Sequence, residues 1–237
     1  MVIGKVSNSL IPLIEEFKTN PNLELEGSLG VFDSGQFTSG VDFNHFKSLY
    51  STFTRVKNQD TNTSWSNSDV KSHFASFFYK GDIRGRFNVK EKPSFVKKTT
   101  ISKCDFSCKE RSYDLRVSLK EELPLKPYLA KDTPDLVRLH ERWSFTYKEA
   151  WRYDFSKVAS GTSKEIACQS QPVFEIELEL LRNSHILKTW TSEQLAENII
   201  EKLVDLLGRF DSNHKELPYS LKLSQVWNSQ NSVIGTV

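Results

Sequence analysis

At 237 residues, 38% apolar and 26% charged, the chain is long enough to bury a substantial core and reads as soluble and globular. A net charge of +2 removes any bulk electrostatic argument for nucleic acid or membrane, so affinity of that kind must come from local charge. No apolar run approaches the ~18 residues of a spanning helix and no signal-peptide core opens the chain; Cys104, Cys108 and Cys168 lack zinc spacing and read as reduced thiols.

An amphipathic helix is predicted over Asn8 to Lys18, with Asn8 as its cap and Pro12 in its first turn. After Asn20-Pro21 comes a short strand, Leu23-Glu24-Leu25-Glu26, expected to close at Gly27 to Gly30. Asp42 is placed to cap a second helix running to Phe53, with Phe43, Phe46, Leu49, Tyr50 and Phe53 at helical spacing. Residues 58–69 are polar and read as a loop. From Phe74 to Phe145 the period changes to two, and residues 150–158 and 172–181 continue the strands. Thr191-Ser192-Glu193-Gln194 is a capping box ahead of LAENIIEKLVDLL, with Gly208 as the stop.

The run Leu23 to Glu26 and the run Phe174-Glu175-Ile176-Glu177-Leu178-Glu179-Leu180 carry a carboxylate at every second residue. Successive strand side chains point to opposite faces, so each run has one acidic and one apolar face. Carboxylates roughly 7 Å apart cost about 2 kcal/mol per ionised pair at an effective dielectric of ~20. If the two strands meet, the site must take up protons or bind a cation, and a hard divalent metal with oxygen ligands is the natural remedy.

Charge alternates with apolar residues on further strands: Arg84 and Arg86; Asp114, Arg116, Ser118, Lys120 and Glu122; Arg138, His140, Arg142 and Ser144; Arg152, Asp154 and Ser156. A solvated antiparallel face explains any one of these, but such a face usually mixes Thr, Ser, Lys and Gln. Here Arg and carboxylate dominate strand after strand, and the helices need an apolar surface to cover. Closing the sheet satisfies both, with the apolar face outward and the charged face lining a barrel. The interior would set Glu24, Glu26, Glu122, Asp154, Glu175, Glu177 and Glu179 against Arg84, Arg116, Lys120, Arg138, Arg142 and Arg152. That inventory suits a metal bound to a polyphosphate, and so phosphoryl transfer by positioning and charge neutralisation.

Five ordered motifs carry a resemblance. Leu23-Glu24-Leu25-Glu26 with Gly30, and Glu175-Ile176-Glu177-Leu178-Glu179, resemble the ELE and EVELE signature strands of the metal-dependent RNA 5′-triphosphatases of the triphosphate tunnel family. Tyr113-Asp114-Leu115-Arg116-Val117-Ser118 with Glu122-Leu123-Pro124, the strand from Arg138 through Arg142 to Phe145, and Arg152 to Val158 resemble three further strands of that family, the branch of fungal and large-DNA-virus mRNA capping systems. The compact size looks most like the viral members.

The resemblance implies an α+β, mostly β fold: a closed eight-stranded antiparallel tunnel barrel with a charged interior, flanked by a few helices. It implies a single domain over 1–237, with a barrel core of about 20–210 and a tail or linker over 211–237. The implied activity is removal of the γ-phosphate from triphosphate-ended RNA, the first step of capping, with NTPase activity and a divalent metal, Mg or Mn. Glu24, Glu26 and Glu179 would bind the metal directly, with Glu175 and Glu177 holding its waters or helping to bind it. Arg84, Lys98, His140 and Arg142 would hold the γ-phosphate; Lys98 is preferred to Lys97 because alternation from an outward Ile101 turns it inward. Glu122 and Asp154 would orient the attacking water or the basic side chains, and Arg152 would pair with the glutamates. Expected partners are triphosphate-ended RNA and NTPs, with guanylyltransferase and methyltransferase domains in a longer polypeptide and no membrane. The setting would be intracellular: host cytoplasm or virion.

Two positions depart from the family pattern. His140 stands where lysine is usual, replacing a fixed cation by one expected to titrate near neutrality. Ser28 stands where relatives are often basic; this argues against the small-molecule triphosphatases and polyphosphatases of the wider superfamily, which carry E-x-E-x-K there. A non-catalytic module that grips polyphosphate or RNA ends is the remaining alternative.

Overall fold

A computed structural model of the chain describes residues 8–60, 64–65, 70–89, 91–108, 111–126 and 133–208. The expected tail over 211–237 and most of the expected 58–69 loop lie outside these residues.

Among the described residues nine strands form one antiparallel sheet: β1 (Leu23–Asp33), β2 (Gln36–Ser39), β3 (Val70–Tyr79), β4 (Ile83–Asn88), β5 (Ser94–Phe106), β6 (Asp114–Leu125), β7 (Leu136–Tyr147), β8 (Trp151–Gly161) and β9 (Val173–Leu180). Eight of them close in the order β1-β6-β5-β4-β3-β7-β8-β9 and back to β1, while β2 pairs only with the far end of β1. The expected eight-stranded barrel is therefore present, with one added strand.

Closure works because the apolar alternates have helices to sit under. Leu25, Leu29, Leu115, Val117, Phe155 and Leu178 are buried on the outer face. Against them lie α1 (Ile11–Thr19), α2 (Phe43–Gln59) and α5 (Ser192–Gly208); two short helices, α3 (Lys164–Gln169) and α4 (Ile186–Thr189), fill the connections. The aromatic stripe of α2 meets the wall edge to face, with Phe53 4.7 Å from Tyr153 and Phe46 5.6 Å from Phe155. Asp42 caps α2 as expected, accepting from the amides of Asn44 at 2.8 Å and His45 at 2.9 Å. The box at the start of α5 is also closed: Gln194 donates its amide to Thr191 Oγ1, and its side chain accepts the Thr191 amide.

Four local expectations change. Asn8 does not cap α1, because a 3₁₀ turn over Asn8–Leu10 precedes it and Leu10 takes the cap position. Helix α2 runs on to Gln59, since Val56 still packs on the core. Strand β1 does not stop at Gly27 to Gly30 but passes through to Asp33. Those glycines serve close approach instead: a Cβ on Gly27 would lie 2.7 Å from Leu203 of α5, and one on Gly30 would collide with the Thr38 carbonyl. A tight turn through Ser34 and Gly35, both at positive φ, then sends the chain back as β2.

Candidate active site

Inside the barrel is a cavity of about 510 Å³ whose lining includes all seven of the expected carboxylates. Every residue to which the family resemblance gave a role lines it: Glu24, Glu26, Arg84, Lys98, Glu122, His140, Arg142, Arg152, Asp154, Glu175, Glu177 and Glu179. Lys98 points inward while Lys97 is exposed. The alternation that places Lys98 holds because the one irregularity of β5, between Thr100 and Ser102, lies beyond it.

The charges are joined strand to strand. Lys98 donates to Glu24 at 2.6 Å and pairs with Glu122 at 2.6 Å, which Arg84 also reaches at 3.2 Å. Lys120 pairs with Glu26, Arg138 with Glu175 at 2.6 Å, and Arg152 with both Glu179 and Asp154. Arg142 forks between Asp154 at 2.8 Å and Glu177 at 3.1 Å, and its Nε donates to Ser156. Arg116 is the exception among the expected tunnel bases. Past the bulge at Ile101, Asp105 comes into register with Arg116 and takes its guanidinium in two hydrogen bonds, outside the cavity lining.

Burial and neighbours set the protonation pattern. Burial pushes the Glu179 carboxyl up to about 7; Arg152 opposes this, while Glu24 and Asp154 add to it. Glu175 is likewise raised by burial, against the pull of Arg138. Glu177 and Glu122 are also buried, but Arg142 and Lys120 around the first, and Lys98 around the second, hold both below the usual carboxylate range. His140 departs from expectation. Burial, followed by Arg138, Arg142, Arg84 and Arg86, drives its imidazole down to about 2, so it is neutral rather than titrating near pH 7.

The donor set fits a hard divalent cation. Glu26 stands directly across from Glu179 in the β1–β9 register, and Glu24 follows on the same face, so the nearest donors are all carboxylate oxygens. The raised Glu179 reflects its burial first and the neighbouring Glu24 and Asp154 carboxylates second, and a bound cation would relieve both. Among the described residues no three acidic, His or Cys side chains gather on one point in this arrangement, because Lys98, Lys120 and Arg152 share their oxygens.

Among the lining residues to which the strand pattern assigned no role, two stand together. Arg86, two residues along β4 from Arg84, faces the cavity, and Phe74 stands beside it on β3. The period-two pattern already marked Arg86 as sharing a face with Arg84, but nothing in the strand pattern separated the two in function.

Against known proteins, the mRNA capping enzyme, beta chain family matches residues 34–222, beginning just after β1. No curated protein sequence matches. The S. pombe Pct1 RNA triphosphatase superposes with a TM-score of 0.70 at 17% identity, covering 86% of this chain and 91% of that one. A structure of the same fungal enzyme in complex with the Spt5 CTD gives 0.68 at 18%, again over 86% and 91%. The Mimivirus capping enzyme triphosphatase gives 0.57 at 15%, covering 84% and 96%, so the expected viral likeness is present beside a stronger fungal one. At these identities the superpositions establish the shared tunnel fold. The family match spans most of the chain, and this protein is a member of the mRNA triphosphatase family, the beta chain of the mRNA capping enzyme.

Proposed function

We propose that the chain hydrolyses the γ-phosphate of triphosphate-ended RNA, and of NTPs, in a reaction that depends on Mg or Mn. The observation that carries this reading is the direct opposition of Glu26 and Glu179 inside a closed tunnel that also turns in Arg84 and Arg142. Glu24, Glu26 and Glu179 would hold the metal, with Glu175 and Glu177 around it; bound there, a divalent ion supplies charge neutralisation and Lewis-acid polarisation. Arg84, Lys98 and Arg142 take the phosphoryl oxygens, exchanging their present carboxylate partners for the substrate. Glu122 and Asp154 orient the attacking water and the bases, Asp154 being itself fixed by Ser144 at 2.6 Å and by Arg142. The water displaces the leaving diphosphate end in line, and no covalent enzyme intermediate forms.

This role belongs to the first step of cap formation in an intracellular setting, with guanylyltransferase and methyltransferase domains acting next. The test is phosphate release from γ-labelled triphosphate RNA with and without Mg or Mn, beside ATP, thiamine triphosphate and tripolyphosphate. Metal-dependent release from RNA is the expected result. Release only from tripolyphosphate would point to a small-molecule enzyme, and binding without release to an inert module.

A further inference from the structure

Each lysine and arginine described above in the cavity lining is tied to a carboxylate, with one exception. Arg86 forms no hydrogen bond or ion pair with any described residue, and its Nε is buried without a partner. Its guanidinium instead lies 3.9 Å from the centroid of the Phe74 ring. Against that same ring, at 4.4 Å and 10° from parallel, lies the imidazole of His140. His140 is 8% exposed, and both of its ring nitrogens are buried with no hydrogen-bond partner. Phe74 is the cross-strand partner of His140, and Ser76 is that of Arg86, so β3 holds the two groups side by side on the tunnel face.

A half-buried guanidinium whose Nε is buried without a partner, next to an imidazole with both nitrogens unpartnered, is costly unless an acceptor reaches them. Among the described residues no carboxylate forms an ion pair or hydrogen bond with either group; the exposed Glu91 attracts Arg86 only from a distance. Non-bridging phosphoryl oxygens have the right charge, and separate oxygens of one polyphosphate can accept from the two donors.

We propose that Arg86 and His140, both fixed by Phe74, form an anion subsite for substrate phosphoryl oxygens, in which Arg86 carries the charge that position 140 lacks. His140 contributes a neutral N–H donor. Its depressed basicity, with Arg138 and Arg142 among the causes, accords with that division of labour. The identity of the anion as a polyphosphate end rests on the triphosphatase reading; the subsite itself does not.

The test is calorimetric binding of tripolyphosphate to the full chain, which needs no turnover. Arg86→Gln keeps a planar group on Phe74 but removes the charge, and weakens binding by about 10- to 100-fold. Adding His140→Lys to Arg86→Gln recovers about tenfold, because the charge returns on the other side of the ring. Arg116→Gln, which removes one charge outside the cavity, stays within about twofold of wild type. The proposal is overturned by Arg86→Gln within about twofold of wild type, by an equal loss in Arg116→Gln, or by a folded double variant that recovers nothing. Should Arg86→Gln fail to fold, nitrogen NMR of His140 in the wild-type chain decides: tripolyphosphate must shift its ring resonances, and unchanged resonances at saturation overturn the idea. Loss of phosphate release in every assay would sink the triphosphatase reading while leaving these binding results standing.

Discussion

The two opposite walls of the tunnel are built alike and charged unlike. Strands β1 and β9 turn Glu24, Glu26, Glu175, Glu177 and Glu179 inward, whereas β4, four places round the barrel from β9, turns in Arg84 and Arg86. The strands between them, β5, β6, β7 and β8, supply the lysines and arginines that bridge to the acids. On the acidic wall burial, with Glu24 and Asp154 adding to it, raises Glu179 to about 7, while on the basic side Arg86 forms no ion pair among the described residues. A tunnel sorted in this way has a place for a cation on one side and for an anion on the other, and a metal-bound polyphosphate provides both.

Substitutions on either side test that contrast. The largest effect is expected on the acidic wall: Glu26→Ala lowers γ-phosphate release by about 10²- to 10³-fold with the far-UV spectrum unchanged. A folded variant with near-normal release would remove the metal assignment. Next comes Arg142→Ala, which strands Glu177 and leaves Asp154 to Arg152 and Ser144; it costs about 2 kcal/mol in a denaturant titration and about 10²-fold in rate. Unchanged stability would mean that those pairs count for little. Arg84→Ala is milder, about tenfold in rate, because Lys98 also reaches Glu122 and can keep that carboxylate paired.

The smallest effect is a pH slope. The folded state raises Glu179 above the ordinary carboxylate value, so it binds a proton more tightly than the unfolded chain does. Its contribution to stability is full below the ordinary range and is lost as pH rises through about 7. Metal-free wild type should therefore lose melting temperature across that interval, and Glu179→Gln should lose less. Equal slopes in the two proteins would show that Glu179 ionises normally.

Most of the tunnel was legible because its signal is local. Alternation alone puts Glu24 with Glu26, and Glu175 with Glu177 and Glu179, on common faces, and the need to cover the apolar alternates then argues for closure. What escaped depends on contacts between distant strands. The bulge at Ile101 brings Asp105 onto the face of Arg116, so a residue that alternation sends into the tunnel is captured before it reaches the cavity. Burial first, and then four arginines from β4 and β7, determine the state of His140, and no single strand displays that sum. Strand β2 went unseen because four residues carry too little pattern, although the Asp33-Ser34-Gly35 turn before it was a usable sign. Gly27 and Gly30 read as a stop when each in fact makes room for a neighbour.

One detail of closure has a mechanical side. β1 and β9 share only four register pairs, Leu25 to Ser28 against Glu177 to Leu180, whereas β7 and β8 stay in register from Val137 to Tyr147. One of the two shortest seams of the cylinder, the other being β4–β5, thus runs through the very glutamates that repel one another across it. Opening there needs few backbone bonds to break, and an ion lodged between Glu26 and Glu179 would act as a rivet. Amide exchange at 25–28 and 177–180 should accordingly slow when divalent cation is added, while the long β7–β8 joint stays as it was.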